Sequence, residues 1–295
     1  MAGQFRFKMA KQSGEALAKR EGFTKLPIDP FVIARRHGIA VVAKPDAVGG
    51  VSGMLLRHGN AFGIYYATHV PSVGFQRFSV GHELGHFFLD GHIDQVLPGD
   101  GAHASRAGFV TADSYELEAD QFAAGLLMPD VLVVKELRKR DIGLPAVEGL
   151  ADSCQTSLTA TAIRYAELSE HAVACVISTG PLIDFCFMSD RMKSRKEIAW
   201  LRKGTPVPTG TLTADINANS QRVASGARGA REVDLADWLG GAGRVVVVEE
   251  VIGLGNYGKT LTILSSSSLG MDDEREDDDE DEERLGESWT PRFRK

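Results

Sequence analysis

Three residues in one short segment, His82, Glu83 and His86, have types and spacing that suit metal chemistry. On an α-helix, residues i and i+4 lie about one turn apart on the same face, so both imidazoles can point at one ion. Neutral imidazole is a good zinc ligand, and the neighbouring carboxylate can accept a proton from an activated water. This H-E-x-x-H pattern predicts His82 and His86 as zinc ligands and Glu83 as the general base.

The segment around these residues, 75–89, has apolar residues at helical spacing and is predicted to form a buried helix. Carboxylate and imidazole groups on a buried helix cost free energy unless they are paired or bound to a metal. A metal site therefore explains the pattern better than two histidines and a glutamate on a solvated helix face.

A catalytic zinc site usually has three protein ligands, so a third must be found. His92 has the spacing of the motif H-E-x-x-H-x-x-G-x-x-H, but Leu89 stands where that motif has the glycine that makes a sharp turn. The alternative is a carboxylate from the next predicted helix, 114–128, either Glu116 or Glu118. Periodicity places both near the edges of the apolar face of that helix and does not choose between them.

The block EADQFAAGLLMP, residues 118–129, resembles the ImmA/IrrE family of metallopeptidases. Together with HELGH, the resemblance covers residues from about Pro30 to Pro129. It implies a zincin-like protease domain in which zinc is bound by His82, His86 and Glu118, with Glu83 as the general base. It also implies a substrate class, a helix-turn-helix transcriptional repressor whose cleavage releases stress-response or mobile-element genes.

Residues 131–170 read as further helices, two of which stand in helix-turn-helix order around the break at 155–157. Direct DNA binding is the weaker interpretation, because the second of these helices offers only Arg164 as a cation and also carries Glu167. Phosphate contacts dominate the affinity of proteins for DNA, and this helix would make few. Docking of a protein substrate or simple packing is favoured instead.

Residues 171–268 alternate strand-like and turn-rich stretches and predict a mixed α/β domain. In longer members of the ImmA/IrrE family the corresponding part is a GAF-like sensor domain, which these strands resemble only in general terms. The segment 272–284 holds eleven acids and two arginines, so it carries a net charge of −9 within a chain of net charge −7. Residues 269–295 are therefore predicted to be an acidic, disordered tail.

Composition bounds the location of the protein. No apolar run approaches the roughly 20 residues that a membrane helix needs, and the N-terminus lacks the apolar stretch of a secretory signal. Cys154, Cys175 and Cys186 are widely spaced and form no C-x-x-C pair, which argues against a disulfide framework or a thiolate metal site. We therefore expect a cytoplasmic protein without a membrane anchor.

These features predict an α+β protein with a zincin-like metallopeptidase domain (1–130), a helical segment (131–170), a sensor-like domain (171–268) and the tail. The predicted function is that of a regulatory zinc endopeptidase. The rival is a DNA-binding or sensor protein with a structural or vestigial zinc site, against which an intact Glu83 argues.

Two features of the site have alternative interpretations. Tyr115, His92 or His103 could stabilise the oxyanion, and strand 61–67 is either an open edge for an extended substrate or an inner strand.

Overall fold

The computed structural model describes residues 2–45, 51–105, 113–195, 198–241 and 244–266. Within these ranges the chain forms two units, one containing residues 2–133 and 151–157 and the other residues 134–150 and 158–266. The helical residues 134–150 and 158–168 thus belong to the same unit as the C-terminal strands. The sequence analysis predicted residues 131–170 as a separate helical segment, and these domain boundaries stay a prediction. The predicted acidic tail, 269–295, lies outside the described residues.

The first unit combines a small sheet with several helices. Its central helix carries the metal-motif residues His82, Glu83 and His86. Its helices are α1 (Ala2–Arg20), α2 (Pro30–Arg36), α3 (Val73–Phe88), α4 (His92–Val96), α5 (Ser114–Leu127) and the start of α6 (Asp130–Leu137). Its strands are β1 (Ala40–Lys44), β2 (Gly53–His58), β3 (Ala61–Ala67) and β4 (Gly101–Ser105). The helices predicted at 75–89 and 114–128 correspond to α3 and α5.

The sheet of the first unit has the strand order β1-β3-β2-β4, in which only β1 and β3 run parallel. Strand β3, the segment 61–67, is therefore an inner strand, and the open-edge alternative for it was wrong. Within the described part of the chain, β1 and β4 form the two edges. The core between this sheet and the helices includes Leu55, Ile64, Val80, Leu84, Phe122 and Leu126.

Side-chain caps fix where the site helices begin. Ser72 accepts a hydrogen bond from the backbone N–H of Phe75 at the start of α3. Asp113 accepts bonds from the N–H groups of Tyr115 and Glu116 at the start of α5. Such caps satisfy N–H groups that have no partner within the helix, so they set the register in which each helix presents its polar residues.

Helices α3 and α5 pack closely because small residues meet at their contact. A Cβ atom added to Gly85 would lie 3.0 Å from the Cα and 3.3 Å from the Cβ of Ala119. No larger pair would fit there without moving a helix axis. This close approach brings the polar residues of α5 within reach of the histidines on α3.

The second unit is built on a five-stranded antiparallel sheet with the order β6-β5-β9-β8-β7 among the described residues. Its strands are β5 (Ala172–Thr179), β6 (Leu182–Met188), β7 (Arg228–Asp234), β8 (Val246–Gly253) and β9 (Thr260–Ser266). Its helices are α8 (Leu158–Leu168), α9 (Asp190–Lys193), α10 (Leu212–Asn217), α11 (Ser220–Ala224) and α12 (Leu235–Leu239), and it contains most of α7 (Leu144–Cys154). Apolar residues of α7 and α8 pack on one face of this sheet.

Two sheets with flanking helices confirm the predicted α+β class. The finer expectations, a zincin-like first domain and a GAF-like second one, stay predictions. None of the helices among the described residues is long and apolar enough to cross a membrane.

Candidate metal centre

His82 and His86 project from the same face of α3, one turn apart, and both are fully buried. Their Nε2 atoms lie 3.1 Å from each other. The carboxylate of Glu116 on α5 lies opposite them, with one oxygen 3.4 Å from Nε2 of His82 and the other 3.2 Å from Nε2 of His86. One ligand atom from each of the three residues falls within 4.8 Å of the others, so together they could hold a metal ion.

Glu118, which the family resemblance implied as the third ligand, lies elsewhere. One of its oxygens is 3.4 Å from Nε2 of His92, and the carboxylate also forms an ion pair with Arg6 of α1. The physical reason is helical geometry, because residues two positions apart on a helix point about 200° away from each other. The structure therefore brings Glu116, and not Glu118, together with the two metal-motif histidines.

Each metal-motif histidine is held through its other ring nitrogen. Nδ1 of His82 lies 2.8 Å from a carboxylate oxygen of Asp120, and Nδ1 of His86 lies 3.2 Å from Nδ1 of His92. Burial lowers the pKa of His82, but the surrounding carboxylates, Asp120 first and then Glu116 and Glu83, together outweigh burial and raise it to about 10. Burial lowers the pKa of His86 to about 4, which keeps that imidazole neutral.

His92 reaches His86 through the turn that follows α3. Helix α3 ends at Phe88, the backbone becomes extended at Leu89, and Gly91 then adopts a left-handed conformation with φ of 77°. Glycine takes up this conformation without the steric cost that a side chain would bring. The sharp turn that the sequence pattern placed at residue 89 is thus made two residues later, and His92 folds back onto the site as a neighbour of His86.

His103 on the edge strand β4 is the most exposed imidazole of the cluster. Its Nε2 lies 2.7 Å from Glu116, and its side chain is 23% exposed, whereas the side chains of His82 and Glu116 are 0% and 12% exposed. Burial raises the pKa of Glu116, but hydrogen bonds from the three surrounding histidines hold it well below its usual range. The carboxylate is therefore ionised, as a metal ligand must be.

Glu83 lies on α3 beside the donor atoms and is fully buried against the sheet. A Cβ atom added to Gly53 of β2 would lie 2.5 Å from Oε1 of Glu83, so the missing side chain of Gly53 provides the space for this carboxylate. Neither oxygen of Glu83 makes a hydrogen bond with a described residue, although the Ser105 hydroxyl lies close by. Burial raises the pKa of Glu83 to about 7.

This arrangement fits a divalent metal ion. Two imidazole nitrogens and one carboxylate form the donor set of many catalytic zinc sites, which keep one further position open. An unpartnered buried carboxylate such as Glu83 is costly unless a water molecule or a ligand meets it. Both observations are expected of a site that binds a metal ion and transfers a proton next to it.

Sequence reasoning missed two residues that complete the cluster, Asp120 and Arg6. The signal for Asp120 was present, since Glu116 and Asp120 are four residues apart and must share a face of α5. No comparable signal existed for Arg6, because its contact depends on how α1 packs on α5.

The part of the chain that carries the site matches the model of a known peptidase family. Residues 34–164, which contain every residue of the cluster except Arg6, match the family model for the IrrE N-terminal-like domain, Peptidase M78. Residues 34–164 are thus similar to the family that the sequence motifs resemble, and the predicted resemblance is confirmed.

A search of curated protein sequences gives no match. Among solved structures, the chain is similar to a Mycobacterium tuberculosis transcriptional regulator, with 12% sequence identity and a TM-score of 0.50 over 87% of this chain and 76% of that one. At that identity the similarity concerns the fold alone.

Proposed function

We propose that this chain is a regulatory zinc-dependent endopeptidase that cleaves a helix-turn-helix transcriptional repressor. One observation carries the reaction type: Glu83 is a buried carboxylate whose oxygens have no described partner in good hydrogen-bond geometry, although the Ser105 hydroxyl lies close by, and it lies beside a buried set of three metal donors. A structural zinc site uses four protein ligands and needs no base next to them. Three metal donors, with a carboxylate beside them that can accept a proton, are the composition of a hydrolytic site.

His82, His86 and Glu116 would hold the ion, and this reassigns to Glu116 the place that the resemblance gave to Glu118. When bound, zinc supplies a Lewis acid that polarises a carbonyl group and acidifies a water molecule. Asp120 holds the ring of His82 through Nδ1, so that Nε2 faces the donor cluster. Such orienting contacts fix which ring nitrogen is free to bind a metal.

Glu83 would accept the proton of the attacking water at a carboxylate oxygen and pass it to the leaving amine. Gly53 leaves room for that carboxylate, and burial excludes competing solvent. His103 is the best placed of the three residues considered for the oxyanion, because it is partly exposed on the side of the donor cluster. His92 is fully buried behind His86, and the ring of Tyr115 packs against His92.

The edge strand β4 offers a way to bind an extended peptide next to the donor cluster. Among the described residues, β4 pairs with β2 alone, and it carries His103. An extended chain that added to this edge would bond backbone to backbone and pass its peptide groups close to the donors. The repressor as the substrate class rests on the family resemblance.

DNA binding is the weaker alternative. Arg164, the only cation on helix α8, has a side chain that is 3% exposed and forms an ion pair with Glu167. Upstream, Lys139 and Arg140 both pair with Glu136. A helix that keeps its single arginine buried offers little to a phosphate backbone.

The test compares cells of the source organism that express the full chain or its Glu83→Gln variant. New protein N-termini are mapped by mass spectrometry, and zinc in both purified proteins is measured by elemental analysis. We expect about one zinc per chain in both, and a new N-terminus inside a helix-turn-helix repressor only with the wild type. Zinc binding without any cleavage that depends on Glu83 would favour the rival, a structural zinc site. Cleavage of an unrelated protein would refute only the substrate class.

A further inference from the structure

We propose that Arg6, Glu118 and His92 form a hydrogen-bonded relay that fixes the tautomer of His86 and so sets the affinity of the site for zinc. The inference rests on the proposed metal centre. It assigns to Glu118 an indirect role, and it gives the N-terminal helix α1 a part in a site otherwise built from α3 and α5.

The relay begins at His86, whose two ring nitrogens have different partners. Nε2 faces Glu116 and His82, and Nδ1 lies 3.2 Å from Nδ1 of His92. A neutral imidazole that binds a metal through Nε2 carries its proton on Nδ1 and must donate it. Nδ1 of His92 therefore has to be the acceptor, which is possible only if the proton of His92 is on Nε2.

Glu118 is placed to enforce that tautomer of His92. Its oxygen lies 3.4 Å from Nε2 of His92 and, as a carboxylate, can only accept. The proton of His92 is thereby held on Nε2, and its Nδ1 presents a lone pair to His86. Asp120 orients His82 directly through Nδ1. Each of the two metal-motif histidines is therefore linked by hydrogen bonds to a carboxylate, His82 directly and His86 through His92.

Arg6 anchors the far end of the relay. Its guanidinium contacts both oxygens of Glu118, at 2.9 and 3.2 Å, and lies 5.4 Å from the ring centre of Tyr115. Helix α1 can hold it there because α1 crosses α5 at a contact between Gly14 and the backbone of Phe122, where a Cβ atom would not fit. The side chain of Arg6 is itself 48% exposed, so it can be replaced without opening the core.

The test measures the zinc dissociation constant of the full chain by competition with a chromophoric chelator. The variants His92→Phe and His92→Gln are compared, because Phe fills the space without hydrogen bonds, whereas Gln can accept from His86 and donate to Glu118. Loss of an outer contact to a ligand typically weakens metal binding by about 10–100-fold. We expect a loss of that order for His92→Phe, near-wild-type affinity for His92→Gln, and a smaller loss for Arg6→Met. Lys8→Met, at an exposed position of the same helix, is the control and should change nothing.

Glu118 separates the relay from direct coordination. If Glu118 acts through His92, Glu118→Ala weakens zinc binding in the wild type but adds little in the His92→Phe background, and the absorption spectrum of the Co²⁺-loaded protein keeps its intensity. Additive losses with a changed Co²⁺ spectrum would show that Glu118 is a ligand and would overturn the proposal, as would equal affinities of His92→Phe and the wild type. A wild type that binds no zinc would refute the relay and the metal centre together. Failure of peptide cleavage alone would leave the relay intact.

Discussion

Gly53→Ala should disable hydrolysis while leaving the metal centre in place. The added Cβ atom would lie 2.5 Å from Oε1, 3.1 Å from Cγ and 3.2 Å from Cδ of Glu83, whereas ordinary contact begins at 3.4 Å. The carboxylate is the movable end of this contact, because Gly53 is held in β2 by pairing with both β3 and β4. To restore ordinary contact, Oε1 must retreat by roughly 1 Å, and a displacement of that size in a catalytic group costs about 100-fold in rate.

The assay is kcat/KM for a fluorogenic peptide that spans the bond cleaved in cells, with zinc content and thermal unfolding measured on the same samples. A 100-fold loss corresponds to about 2.7 kcal/mol of transition-state stabilisation. The free energy of unfolding should fall by only about 1–2 kcal/mol, at the low end for an overpacked core. The matched control is Gly63→Ala in β3, where the added Cβ atom would lie 3.6 Å from its nearest neighbour. If Gly53→Ala cleaves as fast as Gly63→Ala, Glu83 is not the base or does not lie where the structure has it.

Three further predictions concern ligands and stability. Elemental analysis should find no zinc in His86→Ala and about one ion per chain in Glu83→Gln. Neither variant should cleave the peptide. Glu116→Ala should weaken zinc binding more than loss of the outer contacts does, that is by more than about 100-fold, and a value near wild type would return the third-ligand role to Glu118. Tyr165→Phe leaves the buried N–H of Gly143 without its acceptor at 2.9 Å, which should cost about 1–3 kcal/mol in chemical denaturation. Burial raises the pKa of Tyr165 from 10.0 to about 12. The stability that its hydroxyl contributes is therefore lost as the pH rises from 10 to 12, and the difference in free energy of unfolding between the wild type and Tyr165→Phe should narrow over that range.

Local patterns were sufficient to predict the elements that carry the chemistry. The helix with His82, Glu83 and His86 follows from spacing and apolar flanks, and the carboxylate-bearing helix that ends at Pro129 follows from its sequence block. The third ligand could not be chosen in this way, because periodicity reports which side of a helix is apolar and not which neighbour lies there. Residues on two faces of α5 are buried, one face by α3 and the other by α1.

The arrangement of α5 between two helices explains why Glu116 and Glu118 are both buried acids with different tasks. Glu116 shares its face with Asp120, so the face toward α3 supplies one carboxylate for the metal and one for the ring of His82. Glu118 points toward α1 and meets Arg6, whose charge compensates a carboxylate that burial would otherwise make costly. A buried ionised group requires such a partner, and α1 is the element that provides it. We therefore expect the loss of Arg6 to weaken zinc binding while Glu116, with its three histidine neighbours, stays in place, because the two carboxylates are stabilised by separate sets of cations and donors.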